Sequence, residues 1–534
     1  MGPYDKCDKI GTGSYGIVYG AMSPGGNSSV AIKCNLKNSN CSFFSSISEL
    51  DINHKLGIHP YILALDTITQ GNNPFKNGPM SPVSSNSGVM DKIHFVFPRG
   101  VSDLRSYIKL KLSSLELTDL KSMMVEILLG VEYIHGRGYI HRDIKPDNVI
   151  VTRDDKTGQV TMNIADFGLS KMFISNVTNT PGVMTSYYRP PEILLYNEEV
   201  SYDKVADMWS VGCMFYELIT GVPLTGKVRD DNKVLIGRVI RNLPYDVNPD
   251  RAREMDKNGL LQDVELKGHK LTPTEFLRMS QDGANKFESI GGIDAFWRVL
   301  MGMLSFDPNT RWSASRVLDD PFFDDHRSKI QSTRDMFPPV PKTWPAYKVM
   351  SSMIERSWML SMAMGVYKTR STYRWYSDKI LFHSISMMDR VITHLADKED
   401  KPTTVTDYRG TILTKHMTEL YYISCLYLCI KYFSSIHATI PFESLASEDY
   451  ITPGNILKVE NFEKVLIGTI LKYEIYRPTP YDELMSLSGR NDLEVLSLLI
   501  LVINAHHKNK TASQTVQMWL SNRDYYMEAA RSNS

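Results

Sequence analysis

Eight residues from His141 to Asn148, reading HRDIKPDN, constrain this chain more than any other stretch. They bring together Asp143, Lys145 and Asn148, three groups that a phosphoryl transfer needs side by side. The Asp143 carboxylate can accept the proton of an attacking hydroxyl group, the Lys145 ammonium can hold charge on the moving phosphoryl group, and the Asn148 amide can ligate a metal ion. A polar surface turn has a similar composition, so the motifs on either side must decide between the two interpretations.

Length and composition limit the classes of protein that remain. The chain has 534 residues, 42% of them apolar and 22% charged, with a formal net charge of zero. This length predicts two or three globular domains, and the neutral balance argues against direct nucleic-acid or membrane partners. The six cysteines form no CxxC pair, as expected for reduced thiols. The apolar runs are too short to span a bilayer, so we expect a soluble intracellular protein, cytoplasmic or nuclear.

A glycine-rich stretch near the N-terminus, IGTGSYGIVYG, predicts a strand, a tight turn and a returning strand. Its glycines are Gly11, Gly13 and Gly16, and they lie between Ile10 and Val18. Glycine lets the backbone close over phosphates without a Cβ clash, so that backbone N–H groups can meet anionic oxygens. A dinucleotide-binding fold also uses such glycines, but there a helix rather than a strand would follow.

The next motif, VAIK, favours the strand interpretation. It places Ala31 and Lys33 at the end of an apolar strand, where the Lys33 ammonium would meet the α and β phosphates of ATP. A charged lysine in that position needs a carboxylate partner. Glu49, on a predicted helix downstream, is the best-placed candidate, although it could instead be an ordinary surface residue.

The stretch between the nucleotide motifs and the catalytic loop has three parts. Residues 71–90 are rich in Gly, Pro, Asn and Ser, which predicts a mobile insertion between two strands. Motif alignment then places Phe97 at the back of a nucleotide pocket, residues 98–101 in a hinge, and Asp103 within reach of a ribose. Residues 117–135 have helical apolar spacing and lead into the catalytic loop.

Downstream of the loop, MNIADFGLS places Asp166 after an apolar strand, at the distance expected for a second metal-holding carboxylate. RPPEILL supplies Glu192, for which we predict a buried ion pair with Arg311. We further expect Asp207 to hold the catalytic loop through hydrogen bonds to its backbone.

Across residues 4–323 these motifs resemble, in identity and order, a eukaryotic-type protein kinase, and in detail the cyclin-dependent kinases. The resemblance implies an α+β bilobal fold with a β-rich small lobe and a helical large lobe, within a kinase domain spanning residues 1–325. It also implies transfer of the γ-phosphoryl group of ATP to Ser or Thr, with Mg²⁺ held by Asn148 and Asp166.

The same resemblance implies regulatory positions. Ser14 and Tyr15 fall where the family carries paired inhibitory phosphorylation sites, and Thr180 falls at the activating position. A phosphate on Tyr15 would repel the phosphates of ATP.

One departure from the family concerns how an activating phosphate is held. The family uses three arginines, of which this chain retains Arg142, whereas Lys171 and Ser48 stand at the other two positions. Lysine and serine lack the planar fork of arginine, so a phosphate on Thr180 would be held less firmly.

Substrate recognition is also implied by the resemblance. Thr185 falls where a hydroxyl group bridges the catalytic Asp and Lys. Val183 and Arg189 fall where the family forms a pocket for a proline that follows the phosphoacceptor. We therefore expect a protein substrate with Ser or Thr followed by Pro.

The remaining chain differs in composition from the kinase-like part. Residues 326–344 contain FPPVPKTWP and are predicted to form a proline-containing linker, and residues 345–505 have the apolar spacing of an all-α domain, with a helix or tail at 506–534. On periodicity alone, 345–505 are only a set of helices.

The order of signals in residues 345–505 resembles the cyclin box. Asp389 and Arg390 end a run like the family's second helix, Lys431 lies at the end of the third, and Glu463 lies on the fifth. In cyclins that Lys and Glu form a pair at the kinase-binding surface. This resemblance implies that the chain carries its own cyclin-like activator, acting within one chain or between two.

Two alternatives remain open from the sequence. The cyclin-like part could be an adaptor that recruits a separate kinase, or the kinase-like part could be a pseudokinase scaffold. The presence of Lys33, Asp143, Asn148 and Asp166 favours an enzyme over the scaffold.

Overall fold

The structure is a computed structural model. It describes residues 3–338 except 13–15, 27, 36–48, 51, 54, 71–72, 77–92, 112–113, 173–183, 196–202, 227, 229, 257, 269–271 and 278–292, and beyond these only residues 377–396, 422, 424–426, 428–429, 479, 498, 512–522 and 527. Within these residues no helix combines the length and the apolar character that crossing a bilayer requires.

A five-stranded antiparallel sheet forms the small lobe, in the order β1-β2-β3-β5-β4. The strands are β1 (Asp5–Thr12), β2 (Gly16–Met22), β3 (Ser29–Asn35), β4 (Thr67–Gln70) and β5 (Ile93–Pro98). β1 and β2 pair up to Thr12 and Ile17, so a strand does return after the glycine turn as the sequence predicts. Lys33 lies two residues before the end of β3 rather than at its last position.

One face of this sheet packs into a small core because side chains alternate along a strand. Tyr19, Ile32 and Val96 are buried there together with Tyr4 and Phe75. The predicted insertion over residues 71–90 does lie between two strands, β4 and β5, but its described residues 73–76 pack against the sheet. Phe75 is fully buried, forms a bridge with Tyr4, and meets the Tyr19 ring edge-on with centroids 5.3 Å apart.

The large lobe is mainly helical. Its helices are α1 (Leu104–Lys111), α2 (Leu117–Gly136), α3 (Pro191–Leu194), α4 (Val205–Thr220), α5 (Asn232–Asn242), α6 (Pro249–Met255), α7 (Pro273–Leu277), α8 (Ile293–Met303), α9 (Ala314–Leu318) and α10 (Arg327–Met336). The predicted helix over residues 117–135 is thus confirmed. Helix α4 is buried on all sides, with Trp209 fully enclosed, and ends at Gly221 in the left-handed conformation that glycine favours.

Short strands position the segments between the lobes. β6 (Ser102–Asp103), β8 (Val149–Arg153) and β9 (Val160–Ile164) form one small sheet, and β7 (Tyr139–Ile140) pairs with β10 (Lys171–Met172) in another. The catalytic loop lies between β7 and β8, and Asp166 follows β9. These pairings therefore fix both segments at the same end of the large lobe.

The chain after the large lobe differs from the prediction of a linker beginning at residue 326. Arg327–Met336 form helix α10, which is fastened to α2 by ion pairs. The proline-rich run that suggested a linker begins only after this helix, at Phe337.

Most of the described residues of the C-terminal part are helical. Helix α11 (Asp378–Ala396) is buried on all sides between Ile380 and Asp389. The Ser384 and Tyr422 hydroxyl groups are hydrogen-bonded at 3.2 Å, which joins α11 to the next described helical residues. Helix α12 (Ala512–Ser521) lies in the predicted tail.

Candidate active site

The strand register gathers the predicted nucleotide-binding residues on one face of the small-lobe sheet. Val18 lies opposite both Gly11 and Lys33, and Ala31 lies opposite Phe97. Because directly paired residues and residues two apart on a strand share a face, all five lie on the face opposite the small-lobe core.

Two further residues of the predicted glycine motif border this face. Ile10 in β1 is half-exposed. Gly16 begins β2 and is buried, and a Cβ atom there would lie 2.9 Å from the carbonyl oxygen of Cys34. The close approach of β2 to β3 at this point therefore requires glycine.

The Lys33 ammonium lies between two carboxylates. It is 2.6 Å from Glu49 Oε2 and 2.9 Å from Asp166 Oδ1, and its side chain is 11% exposed. Burial alone would lower the pKa of Lys33, but the charges of Asp166 and Glu49 raise that pKa above its ordinary value. Lys33 is therefore a fixed positive charge in the cleft, and the predicted Lys33–Glu49 pair is present.

Asp166 projects into the cleft from an unusual backbone conformation. Its φ is 64°, in the left-handed region that a non-glycine residue rarely adopts. Removal from water would raise the pKa of this carboxyl group, but the Lys33 charge and hydrogen bond hold the pKa below its usual range. Asp166 is thus an anion aimed at the space beside Lys33.

Asp207 holds the backbone of the catalytic loop, as the sequence predicts. The Asp207 carboxylate accepts hydrogen bonds from the backbone N–H groups of His141 and Arg142, each at 2.8 Å, and is 2.8 Å from His135 Nε2. Arg142 has a φ of 67°. Asp207 is fully buried, so its contacts stabilise this strained turn from within the core.

The His141 ring fixes the loop in a second direction. Its Nε2 lies 3.0 Å from the carbonyl oxygen of Ala165, so Nε2 carries a proton and donates it. Its Nδ1 accepts a hydrogen bond from the backbone N–H of Asp143 at 3.3 Å. Burial lowers the pKa of His141, which is consistent with this neutral tautomer. The ring thereby joins the catalytic loop to the segment that carries Asp166.

Three predicted residues donate hydrogen bonds to the Asp143 carboxylate. Its Oδ1 accepts a hydrogen bond from the Thr185 hydroxyl group at 2.6 Å, and its Oδ2 accepts from Lys145 Nζ at 2.7 Å and from Asn148 Nδ2 at 2.9 Å. Lys145 Nζ also donates to the Thr185 hydroxyl oxygen at 2.9 Å. An ionised carboxylate surrounded by donors can accept a proton from a hydroxyl group that approaches it.

The donor set on the cleft side of this cluster fits a magnesium ion. Mg²⁺ prefers oxygen ligands and is commonly held by one or two protein side chains together with the phosphates of a nucleotide. Asn148 directs its amide nitrogen to Asp143, so its amide oxygen remains the atom suited to a metal. The Asp166 carboxylate supplies the second oxygen type.

The hinge runs close against β8. The Val101 N–H donates to the carbonyl oxygen of Val151 at 2.8 Å, and a Cβ atom on Gly100 would lie 2.3 Å from the Ile150 side chain. Asp103 follows, and its carboxylate accepts hydrogen bonds from the N–H and hydroxyl groups of Ser106, both at 2.8 Å. The residue predicted to reach a ribose therefore also caps helix α1.

Arg189 contacts a backbone atom that the sequence analysis did not identify. Its Nε donates to the carbonyl oxygen of Met184 at 2.7 Å, and its Nη1 lies 3.2 Å from Asp230. Met184 is buried and immediately precedes Thr185. The carbonyl oxygen next to Thr185 along the chain is therefore already engaged by a guanidinium.

A second group that sequence reasoning missed surrounds Arg105. Its guanidinium donates two hydrogen bonds to Asp147, at 3.1 and 2.9 Å, one to Tyr188 at 2.8 Å, and one to Glu217. Burial raises the pKa of Asp147, but the hydrogen bond and charge of Arg105 hold it below its ordinary value. This network ties the catalytic loop to α1, α4 and the segment after Thr185. Asp147 and Glu217 lie far from Arg105 in the sequence, so no local pattern predicts that they contact it.

Several predicted residues lie outside the described residues: Gly13, Ser14, Tyr15, Thr180, Val183, Lys431 and Glu463. Of the residues named for the cyclin-like part, Asp389 and Arg390 lie on helix α11.

Comparison with known proteins agrees with this geometry. A protein kinase domain family matches residues 4–323. Cyclin-dependent kinase 4 of Xenopus laevis is 32% identical over 332 residues, covering 61% of this chain and 91% of the relative. The Mus musculus protein of the same name is 28% identical over 338 residues, covering 61% of this chain and 98% of the relative. A serine/threonine-protein kinase of Candida albicans is 30% identical over 340 residues, 60% of this chain but only 41% of that longer relative.

A two-lobed fold with a lysine, a base and metal-holding oxygens in the cleft defines a protein kinase. The chain belongs to the protein kinase family and, within it, is a Ser/Thr kinase of the cyclin-dependent kinase group. The predictions of fold and enzyme class are confirmed for the kinase part. The cyclin-like domain stays a prediction.

Proposed function

We propose that Asp143 accepts the proton of a substrate Ser or Thr hydroxyl group while Lys145 and Lys33 stabilise charge on the phosphates of ATP. The observation that carries this proposal is the set of hydrogen bonds joining Asp143, Lys145, Asn148 and Thr185. A magnesium ion held by Asn148 and Asp166 would neutralise phosphate charge. Thr185 orients the base and keeps Lys145 beside it.

We further propose that the substrate residue after the phosphoacceptor is proline. An ordinary residue at that position would bring a backbone N–H into the substrate surface, where it needs an acceptor. One candidate acceptor among the described residues, the Met184 carbonyl oxygen, is engaged by Arg189 at 2.7 Å. Proline has no backbone N–H, so it leaves no donor unsatisfied.

Substituting Arg189 tests this selectivity. In Arg189→Leu the Met184 carbonyl oxygen becomes available, and a substrate with Ala after the serine gains the hydrogen bond that it lacks. We expect the ratio of kcat/KM for a Ser-Pro peptide over the matched Ser-Ala peptide to fall about 3- to 10-fold, the value of one hydrogen bond. Arg253→Leu, at an arginine side chain that is 73% exposed, is the matched control. An unchanged ratio in Arg189→Leu would contradict the proposal.

Phosphorylation at Thr180 is proposed to matter less here than in relatives that bind the phosphate with three arginines. Arg142 already donates from Nε to the carbonyl oxygen of Leu169 at 2.6 Å. Lys171 and Ser48 stand at the other two positions and lack a planar fork. Ser14 and Tyr15 are proposed as inhibitory sites because a phosphate there would repel ATP.

We also propose that residues 345–505 act as a cyclin-like activator of the kinase lobes. The support is the helical character of most of the described part, including the buried helix α11, together with the resemblance of the motifs. Activation would consist of holding Glu49 against Lys33, by biasing a two-state helix toward the position in which the two residues meet. The covalent attachment raises the effective concentration of the two parts.

A charge exchange in the full chain tests the activator. If Lys431 and Glu463 pair at the activating surface, Lys431→Glu and Glu463→Lys should each lower kcat about 5- to 30-fold, and the double variant should recover most of the loss. Lys508→Glu, outside residues 345–505, is the control. Full activity in both single variants would indicate another role, such as an adaptor that recruits a separate kinase.

A further inference from the structure

Three aromatic rings close over the turn that follows the helix bearing Glu49. The described residues 49, 50, 52, 53, 55 and 56 are helical, and His59 lies in the turn after them. The His59 ring stacks on Tyr133 of α2 with centroids 4.3 Å apart and an interplanar angle of 21°. The Phe337 ring meets His59 edge-on at 5.2 Å and 71°. His59 and Tyr133 are buried, and Phe337 is half-buried.

Tyr133 also holds the end of this helix directly. Its hydroxyl group donates to the carbonyl oxygen of Leu56 at 2.7 Å. Earlier in the same helix, Asn53 Nδ2 donates to the carbonyl oxygen of Glu49 at 2.7 Å. The C-terminal end of the helix is therefore fixed to the large lobe, while Glu49, the first described residue of the helix, reaches Lys33.

Helix α10 delivers Phe337 to the stack from a fixed position. Arg334 forms two hydrogen bonds with Glu132, at 2.9 and 2.7 Å, and Lys329 Nζ lies 2.5 Å from Glu126. Both glutamates belong to α2 and are largely buried. Paired, bidentate contacts of this kind restrict orientation as well as distance. Phe337 is the first residue after α10, so its place depends on these contacts.

The state of His59 fits a ring closed off from water. Its Nδ1 accepts a hydrogen bond from the backbone N–H of Tyr61 at 3.2 Å, which requires an unprotonated nitrogen there. Burial, together with the charge of Arg137, lowers the pKa of His59 to about 4. The imidazole is therefore neutral and packs as an aromatic ring between Tyr133 and Phe337.

We propose that Phe337 is a positioning residue for phosphoryl transfer, which acts through His59 and Tyr133 to hold the helix that presents Glu49 to Lys33. The chain beyond α10 is thereby coupled to the active site at the residue where it leaves the kinase lobes. This coupling depends on the kinase activity alone and not on the proposed role of residues 345–505.

Substitution of Phe337 in the full chain tests the proposal. We expect Phe337→Ala to lower kcat about 5- to 30-fold, and to increase hydrogen exchange at residues 49–57 but not in α4. Phe337→Leu, which retains most of the apolar contact, should recover most of the kcat. Met336→Ala is the matched control because Met336 is the preceding residue and is 72% exposed.

A second variant separates positioning from general stability. Tyr133→Phe retains the ring and removes only the hydrogen bond to Leu56, so it should increase exchange at residues 49–57 and lower kcat in the same direction. The proposal is overturned if Phe337→Ala keeps the kcat of the native chain, or leaves exchange at 49–57 unchanged, whatever the effect of Tyr133→Phe. It is also overturned if exchange rises equally in α4, because Phe337 would then support the fold as a whole.

Discussion

Asp143→Asn is expected to lower the rate of phosphoryl transfer about 10²- to 10⁴-fold, the usual contribution of a general base. Asparagine has the shape of aspartate but cannot take up the proton of a hydroxyl group. In addition, the Asp143 carboxylate accepts hydrogen bonds from Thr185, Lys145 and Asn148. The NH₂ group of asparagine cannot accept a hydrogen bond, so at least one of these contacts would be lost. The initial rate with a Ser-containing peptide measures the effect, and ATP affinity should be retained.

The control for this substitution is Asp155→Asn, at an exposed carboxylate in the turn between β8 and β9. It should leave the rate of transfer unchanged. A rate in Asp143→Asn that equals that of the native chain would contradict the assignment of Asp143 as the base.

Glu192→Ala should cause the second large effect, a loss of about 3 to 5 kcal/mol in the free energy of unfolding. The Glu192 carboxylate forms two hydrogen bonds with Arg311, at 2.7 and 2.9 Å, as the sequence predicts. The Arg311 side chain is 0% exposed. Removal of Glu192 would therefore leave a buried guanidinium without its counter-charge, which costs more than the pair contributes.

Urea unfolding of the kinase lobes measures this loss. Arg253→Ala is the control because the Arg253–Asp250 pair is exposed on both sides and should contribute less than about 1 kcal/mol. Equal unfolding midpoints for Glu192→Ala and Arg253→Ala would show that burial of the Glu192–Arg311 pair does not determine its contribution.

The residues that could be predicted from the sequence are those whose type and spacing are both demanded by the chemistry. Asp143, Lys145 and Asn148 lie within one loop, so their proximity follows from the chain itself. The Lys33–Glu49 contact could be inferred because a buried ammonium needs a carboxylate and few were available. Side chains alternate between the two faces of a strand, so the shared face of Val18 and Ala31 follows as soon as the strand register is given.

Other features carry no local signal. The acceptor that Arg189 engages is the backbone carbonyl of Met184, and every residue has such a group. The Arg105 network joins residues as much as 112 positions apart along the chain, so the sequence around Arg105 does not predict its contact with Glu217. Contacts of this kind are decided by packing of the large lobe.

Two segments were assigned from composition and the structure corrects them. Helix α10 has few apolar residues, because its contact with α2 depends on the charged side chains of Lys329 and Arg334. Its sequence therefore shows no apolar helical pattern, and the prolines that follow it led to the prediction of a linker. Phe75 stands in a run of Gly, Pro and Asn, yet its ring is buried and holds this segment in the small-lobe core. Composition describes a segment on average and does not show which of its residues pack.

The most direct test of the account is the initial rate of γ-phosphoryl transfer from ATP, with Mg²⁺, by the full chain to two peptides that differ only in Pro or Ala after the serine. We predict transfer to the serine of both peptides with a clear preference for the Ser-Pro peptide, and loss of both rates in Asp143→Asn. Absence of transfer by the native chain, or rates that do not change in Asp143→Asn, would contradict the assignment of this cleft as the catalytic site of a Ser/Thr kinase.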